Sequence, residues 1–281
     1  MKNHCIMKKN LLQTEINSMS KTCVIGDIHG CKETLLLLLE KCNLEEQDTV
    51  ISLGDILHKG PSGGDCVRII KDLPCNSIFV VGNHTDKHIR WYDKTPEQRL
   101  QMTWTEDFEL EHLTSSEIEW LRNGYLYYSF EINDQKYLCI HAGIGPEHTT
   151  QQMQVLEQML WIDMLKLTSG RRKSLEKLLR LRYIDPEGNS VKNIQDIRPA
   201  DKYWADIYGG EHGIILFGHQ PFLRSWGPRV FDYAIGLDTG CVHGNCLTAL
   251  VLEEGAPATS ISVQNPIAYC PAIHTPHRNP I

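Results

Sequence analysis

The chain of 281 residues is 41% hydrophobic and 22% charged, which is typical of a globular protein with one large or two small domains. Its formal net charge of -7 argues against a general nucleic-acid binder, which would carry a basic surplus. No apolar run approaches the roughly 20 residues of a membrane-spanning helix. The ten cysteines include no CxxC pair and no secretory apolar segment precedes them, so we expect reduced thiols in a cytoplasmic protein.

Residues 22–90 have the pattern of three strands alternating with two helices. Residues 35–39 and 66–73 supply the apolar faces of the helices, and the spacing is typical of βαβ units with a parallel sheet. Further along the chain, residues 125–132 and 137–140 alternate in the manner of strands and predict a hairpin.

The character of the chain changes after residue 150. Methionine and leucine recur at helical spacing up to Leu167, and a concentrated basic stretch runs from Arg171 to Arg182. We expect a helical lid over about 150–210, whose basic residues either form a solvated helix face or meet an anionic substrate. Short β-like runs from Val230 to Val263 predict a second, largely antiparallel layer. The expected organisation is an N-terminal extension (1–21), a single domain (22–263) and a C-terminal tail (264–281).

Five strand-like runs each lead into residues that can bind a metal ion. These residues are Asp27 and His29, Asp55, Asn83 and His84, His141, and His219. Because the carboxyl ends of parallel strands lie along one edge of a sheet, we expect these side chains to converge. The set contains carboxylates, imidazoles and one amide without a thiolate. That mixture favours a pair of hydrolytic divalent metals over a structural zinc site.

The motifs around these residues resemble those of the calcineurin-like metallophosphoesterases. They are Gly26-Asp27-Ile28-His29-Gly30, Gly54-Asp55-x4-Gly60, Gly82-Asn83-His84, His141-Ala142-Gly143 and Gly218-His219. The stretch from Gly236 to Gly244 and the tripeptide Leu181-Arg182-Tyr183 resemble the symmetrical diadenosine tetraphosphate hydrolase group in particular. The resemblance covers roughly residues 22–253. It implies an α/β fold, a two-sheet β-sandwich flanked by helices and carrying a helical lid.

The resemblance also implies roles for individual residues. Asp27 and His29 would bind one metal, Asp55 would bridge both, and Asn83, His141 and His219 would bind the other. The cofactors would be two divalent ions, with manganese expected first and iron, zinc or magnesium as alternatives. A hydroxide between the ions would attack phosphorus in line, and His84 would protonate the leaving oxygen. The residues expected to bind substrate are Lys59, Arg90, Arg182 and His58.

Three positions depart from the phosphoprotein phosphatase pattern. His58 stands where an aspartate orients the proton-donating histidine, Lys59 stands where an arginine is usual, and Thr85 replaces an acidic residue after His84. A neutral imidazole does not stabilise an imidazolium as a carboxylate does. The change at position 58 therefore bears directly on the acid strength and tautomer of His84.

Three functions stay open on the sequence. The first is a phosphoesterase that hydrolyses phosphoanhydride bonds in dinucleoside polyphosphates or related nucleotides. The second is a protein Ser/Thr or Tyr phosphatase that uses the same site on phosphoproteins. The third is a catalytically weak metal-binding interaction module, motivated by His58 and Thr85. The complete ligand set favours an enzyme, and the residues from Gly236 to Gly244 favour the first function.

Overall fold

The computed structural model describes residues 20–102, 112–148 and 158–271, and its framework is a pair of packed β-sheets. The first sheet contains five strands: β1 Lys21–Ile25, β2 Thr49–Ser52, β3 Asn76–Phe79, β13 Cys246–Glu253 and β14 Thr259–Gln264. Their order across the sheet is β14-β13-β1-β2-β3. Strands β1, β2 and β3 are parallel, so their carboxyl ends lie along one edge.

The second sheet contains six strands. They are β4 Tyr125–Ile132, β5 Gln135–Ile140, β6 Gln158–Leu160, β10 Ile214–Phe217, β11 Arg229–Val230 and β12 Ala234–Gly236. Their order is β11-β12-β10-β5-β4-β6, and β5 and β10 are parallel neighbours. The loops after these two strands therefore leave the sheet side by side.

Helices follow most strands of the first sheet, and short elements follow the second. The helices are α1 Lys32–Cys42, α2 Gly63–Lys71, α3 Asn83–Tyr92, α4 Pro96–Arg99, α5 Ser115–Arg122, α6 Trp161–Met164, α7 Ser169–Leu175 and α8 Trp204–Ile207. A small third sheet joins β7 Tyr183–Ile184, β8 Ser190–Val191 and β9 Lys202–Tyr203. Within the residues that the structure describes, no helix has both the length and the apolar character needed to cross a bilayer.

Alternation along the strands divides the core into two layers. Cys23 and Ile25 point to the helical side, whereas Val24 between them points to the other sheet. On that other sheet, Cys139 and Leu216 belong to the same buried layer as Val24. A period of two residues places successive side chains on opposite faces. The buried strands are thus apolar on both faces, as the sequence predicted for a two-sheet sandwich with outer helices.

The sequence predicted the β4–β5 hairpin and the β-α-β-α-β order of 22–90 correctly. The hairpin turn is made by Asn133 and Asp134, whose φ angles of 53° and 58° are those that a two-residue turn with matching twist needs. The prediction of a second, largely antiparallel layer from Val230 to Val263 was correct for the pairing of β11 with β12 and of β13 with β14, but wrong for the layer. Strands β11 and β12 extend the second sheet, while β13 pairs with β1 because both of its faces are apolar and buried.

The segment predicted as a helical lid contains both helices and strands. Helices α6, α7 and α8 alternate with the small third sheet, and residues 149–157 lie outside the described ranges. The predicted extension and most of the predicted tail also lie outside them. The boundaries at residues 21 and 263 stay predictions.

Candidate active site

The loops after β1, β2, β3, β5 and β10 bring the candidate ligands to one point. Ligand atoms of His29, Asp55 and His84 lie within 4.8 Å of one another, and so do those of Asp55, His141 and His219. Asp55 belongs to both groups and is only 1% exposed. A single buried carboxylate is thus shared by two adjacent sets of potential metal ligands.

Three of these residues adopt a backbone conformation that side chains with a Cβ rarely take. The φ angles are 46° at His29, 43° at Asp55 and 67° at His219. Each such left-handed residue costs on the order of 1–3 kcal/mol, and they concentrate at functional sites. The sharp turn after each strand directs the side chain back toward the centre instead of along the loop.

Two glycines let the carboxylates approach the backbone. A Cβ on Gly82 would lie 2.1 Å from Asp55 Oδ1, and a Cβ on Gly218 would lie 2.1 Å from Asp27 Oδ1. In each loop a later backbone N–H donates to the same oxygen: His84 N to Asp55 Oδ1 at 2.9 Å and His219 N to Asp27 Oδ1 at 3.0 Å. Each carboxylate therefore keeps its Oδ2 atom directed at the histidines.

Backbone carbonyls orient two of the imidazoles. His29 Nδ1 donates to the Leu57 carbonyl at 3.0 Å, and His141 Nδ1 donates to the Leu53 carbonyl at 2.7 Å. Their Nε2 atoms then face Asp55 Oδ2, at 3.7 Å for His29 and 3.3 Å for His141. Histidines that bind metals are held in the same way, through a hydrogen bond from the opposite ring nitrogen.

Charge differs sharply among the buried histidines. Burial opposes protonation of His141, but the carboxylate of Asp55 outweighs it and raises the pKa of His141 to about 9. The imidazolium can then donate from Nε2 to Asn83 Oδ1 at 3.0 Å. Burial lowers the pKa of His219 well below its ordinary value, and its buried Nε2 has no hydrogen-bond partner among the described residues.

These donors fit a pair of divalent cations. The centre offers carboxylate oxygens of Asp27 and Asp55, an amide oxygen of Asn83, and imidazole nitrogens with fixed orientation. Oxygen and imidazole nitrogen atoms suit magnesium, manganese, iron and zinc, and a shared carboxylate can bridge two ions. The unpartnered Nε2 of His219 is an additional acceptor that a cation would satisfy.

A cleft of about 120 Å³ opens beside this centre, and two cationic side chains line it. Lys59 Nζ lies 2.9 Å from His29 Nε2. Arg182 donates from Nε to Gln220 Oε1 at 2.9 Å and from Nη2 to the His219 carbonyl at 3.2 Å. Two of the cations expected from the sequence to meet substrate, Lys59 and Arg182, are therefore adjacent to candidate ligands.

The other two predicted substrate-binding residues contact protein groups. Arg90 donates to Asp86 Oδ1 at 2.8 Å and to Glu176 Oε1 at 2.7 Å, which ties α3 to the 3₁₀ turn after α7. The buried ring of His58 lies beside His84, with its Nε2 atom 3.0 Å from His88 Nδ1. Neither lines the cleft among the described residues, and their role toward substrate stays a prediction.

The sequence profile of the calcineurin-like phosphoesterases matches residues 20–244. The chain belongs to the calcineurin-like phosphoesterase family. This calcineurin-like phosphoesterase has five motifs on five strand ends, and family membership implies divalent metal ions at the centre that they form.

Curated relatives match the calcineurin-like phosphoesterase over most of its length. A protein of Marinomonas sp. (strain MWYL1) is 30% identical in an alignment that covers 87% of this chain and 99% of the relative. A protein of Yersinia pseudotuberculosis serotype O:3 (strain YPIII) is 30% identical over 83% of this chain and 89% of its own. Both are named symmetrical bis(5'-nucleosyl)-tetraphosphatase.

Solved structures share the fold of this calcineurin-like phosphoesterase. A crystal structure provisionally described as a diadenosine tetraphosphatase superposes with a TM-score of 0.64 at 24% identity, covering 89% of this chain and 95% of the other. A protein serine/threonine phosphatase from Saccharomyces cerevisiae gives 0.53 at 14% identity, over 94% and 82% of the two chains. These likenesses concern the fold.

Sequence reasoning missed two residues beside the centre of the calcineurin-like phosphoesterase. Asp238 is buried in the cleft, where burial raises its pKa and Gly240 N donates to its Oδ1 at 2.9 Å. Asp238 lies inside the stretch from Gly236 to Gly244, which indicated a resemblance to a family but suggested no role for this residue. His88 contacts His58, and its position one helical turn after His84 was the available signal.

Metal binding by the calcineurin-like phosphoesterase is expected to release protons near neutral pH. His141 must lose its proton before Nε2 can bind a cation, and its pKa of about 9 keeps it protonated below that pH when no metal is bound. Deprotonation of His141 should therefore raise the affinity for manganese about tenfold for each pH unit between pH 6 and 8. Calorimetric titration in buffers with different ionisation enthalpies counts the protons. An affinity independent of pH, with no proton released, would contradict the protonated state of His141.

Proposed function

We propose that this protein is a metal-dependent phosphoesterase that hydrolyses phosphoanhydride bonds in dinucleoside polyphosphates. The observation that carries the chemistry is the buried carboxylate of Asp55, shared by two groups of potential ligands. The substrate class is supported by the relatives named symmetrical bis(5'-nucleosyl)-tetraphosphatase, which align with 83–87% of this chain. Hydrolysis of a tetraphosphate bridge at its centre would release two molecules of ADP.

The proposed ligands divide around Asp55. Asp27 and His29 would hold one cation, and Asn83, His141 and His219 the other, with manganese proposed ahead of iron, zinc or magnesium. When bound, the cations would lower the pKa of a water molecule and neutralise charge at the scissile phosphate. The carbonyls of Leu57 and Leu53 keep the ligand rings in place, so the ring orientations exist before the ions bind.

His84 is the proposed proton donor to the leaving oxygen. Its ring lies edge-on to His29 at a centroid distance of 5.1 Å, so it borders the centre. Its backbone N–H is bound to Asp55 Oδ1, which fixes the start of α3 relative to the centre. A histidine placed beside the leaving group can donate a proton near neutral pH.

The positive charges that line the cleft are consistent with the proposed extended, polyanionic substrate. The scissile phosphate and its neighbour would face the cations, and the remaining phosphates need further positive charge. Lys59 and Arg182 supply it from opposite parts of the chain, one from the β2 loop and one from the start of β7. Arg182 also offers a planar fork that can bind two phosphate oxygens at once.

A substrate panel with manganese reconstitution tests the proposed function. It compares diadenosine tetraphosphate, other dinucleoside polyphosphates, capped RNA, inorganic polyphosphate and phosphopeptides under one set of conditions. We expect the highest kcat/KM for a dinucleoside polyphosphate, with ADP as the nucleotide product from diadenosine tetraphosphate. Faster cleavage of phosphopeptides than of every dinucleotide would assign the site to a protein phosphatase instead.

Arg182→Ala is expected to lower kcat/KM for diadenosine tetraphosphate at least tenfold, which corresponds to about 1.4 kcal/mol of transition-state stabilisation. A small aryl phosphate should lose much less, because it has no distal phosphates for Arg182 to bind. Steady-state kinetics on both substrates measures the difference.

Arg198→Ala is the matched control for this prediction. Arg198 lies in the same part of the chain but is more than half exposed and pairs with Asp201. Removing the Arg198 side chain should leave kcat/KM unchanged for both substrates. Because Arg182 also holds the His219 carbonyl, metal content is measured in each variant. An Arg182→Ala protein with full metal content and equal losses on both substrates would contradict the assignment.

A further inference from the structure

Three imidazoles lie in contact beside the candidate centre. His84 and His88 lie one turn apart on α3, and His58 from the β2 loop lies against both. The His58 ring is stacked on His88 at a centroid distance of 5.2 Å and meets the edge of His84 at 5.6 Å. His58 is 4% exposed and His88 is 1% exposed. The contact between His58 and His88 is therefore a buried contact between two polar side chains.

A strained turn directs His58 into this position. His58 and Lys59 have φ angles of 69° and 70°, so two consecutive residues with a Cβ are left-handed. The turn is closed by a hydrogen bond from Gly60 N to the His58 carbonyl at 2.9 Å. It sends the Lys59 side chain to His29 in the cleft and the His58 ring to α3. The backbone conformation of this turn therefore sets the direction in which the His58 side chain leaves the chain.

The hydrogen bond within the pair links the protonation of two specific atoms. His58 Nε2 and His88 Nδ1 are 3.0 Å apart, so one of these nitrogens carries a hydrogen and the other accepts it. Burial lowers the pKa of His58 to about 2 and that of His88 to about 4. The pair is therefore neutral around pH 7. The pair can hold a neighbouring ring in place by packing, but it cannot supply the negative charge of a carboxylate.

We propose that His88 is a positioning residue that acts on His84 through His58, so that a hydrogen-bonded histidine pair fills the place of an orienting carboxylate. The inference rests on the proposed role of His84 as proton donor. His88 is not among the described residues that line the cleft, and its proposed influence passes through its hydrogen bond to His58. If His88 only fills space, its polar atoms have no effect on proton transfer.

Two substitutions of His88 by amide residues distinguish a positioning role from a space-filling one. His88→Asn keeps a polar atom near the position of Nδ1, whereas His88→Gln moves it outward to the position of Nε2. Rates are measured with aryl phosphates whose leaving phenols differ in pKa, because only the poor leaving groups need a proton. We expect His88→Gln to slow phenyl phosphate at least about tenfold more than 2,4-dinitrophenyl phosphate, and His88→Asn to stay close to the wild-type protein. KM should change little in either variant.

A second arm tests whether the effect passes through His84. In a His84→Ala background, His88→Gln should cause no additional loss on phenyl phosphate, because the group on which His88 acts is gone. Proton–nitrogen NMR of histidine-labelled protein reports the tautomer of His84 directly and should differ between the two His88 variants. His212→Asn alters another buried histidine, which bonds the His148 carbonyl away from the centre, and should leave the leaving-group dependence unchanged.

Several results would overturn the proposal. They are equal losses on both aryl phosphates, identical behaviour of His88→Asn and His88→Gln, or a loss that persists without His84. A His84→Ala protein that loses activity equally on phenyl phosphate and 2,4-dinitrophenyl phosphate would remove His84 as donor and the inference with it. If diadenosine tetraphosphate is not hydrolysed but the aryl series behaves as expected, the proposed substrate is wrong and the role of His88 stands.

Discussion

Asp55→Asn is expected to abolish turnover and to remove at least one metal ion per chain. The substitution keeps the size of the side chain but removes its negative charge. Asp55 Oδ2 lies 3.7 Å from His29 Nε2 and 3.3 Å from His141 Nε2, so it faces ligands from both groups. Two cations held near one another repel, and a bridging carboxylate offsets that repulsion. An amide cannot replace it, since only one of its two terminal atoms accepts.

Asp48→Asn provides a matched control for this substitution. Asp48 is also 1% exposed, and it accepts hydrogen bonds from the backbone N–H groups of Lys21 and Glu45 at the start of β2, remote from the centre. It should lower the melting temperature while leaving metal content and kcat of the folded protein intact. Elemental analysis and phosphate release measure both variants. Retention of full metal content and activity by Asp55→Asn would contradict the shared-carboxylate arrangement.

His84→Ala should slow substrates with poor leaving groups by about 10²–10⁴, the usual contribution of general acid catalysis. Substrates whose leaving groups depart as stable anions need no proton and should lose far less. Metal content should be preserved, because the two carboxylates and the rings of His29 and His141 keep their own hydrogen bonds. The comparison of diadenosine tetraphosphate with 2,4-dinitrophenyl phosphate in the same preparation measures the difference.

Thr85→Ala is the control for the His84 substitution. Thr85 is the next residue of α3 and is completely buried, so its truncation disturbs packing at the same place without removing a titratable group. It should affect both substrates equally. If His84→Ala also affects both equally, the histidine contributes to binding or structure and another group donates the proton.

The convergence of the candidate ligands was predictable from sequence because it depends on local patterns. Each ligand follows a buried strand within one to four residues. Parallel strands of one sheet share an edge, which brings together the loops after β1, β2 and β3, and likewise those after β5 and β10. The packing of the two sheets then joins the two sets. The hairpin was predictable for the same reason, since Asn133 and Asp134 favour the left-handed turn that joins its strands.

Contacts between distant parts of the chain were not predictable in this way. The choice of β1 as partner for β13 depends on which strand edge remains open after the parallel strands have formed. Arg90 was expected at the substrate, but Glu176 lies 86 positions later and its approach depends on how the chain after β6 folds back. The His58–His88 pair likewise depends on a left-handed turn at His58, which no residue preference indicates.

The histidine pair also bears on the difference between this chain and the phosphoprotein phosphatase pattern. His58 does not leave His84 isolated, because its ring is stacked on His88 and meets the edge of His84. In the proposed arrangement the pair retains the orientation of His84 while the carboxylate charge is lost.

The most direct test of the central claim is a titration of chelator-treated protein with manganese, in which ADP formation from diadenosine tetraphosphate is followed at each step. We expect negligible ADP without metal, a rate that rises with added manganese, and a plateau at about two equivalents per chain. ADP should be the sole nucleotide product. Undiminished hydrolysis in chelator, or a fully metal-loaded protein that forms no ADP while it dephosphorylates peptides, would contradict it.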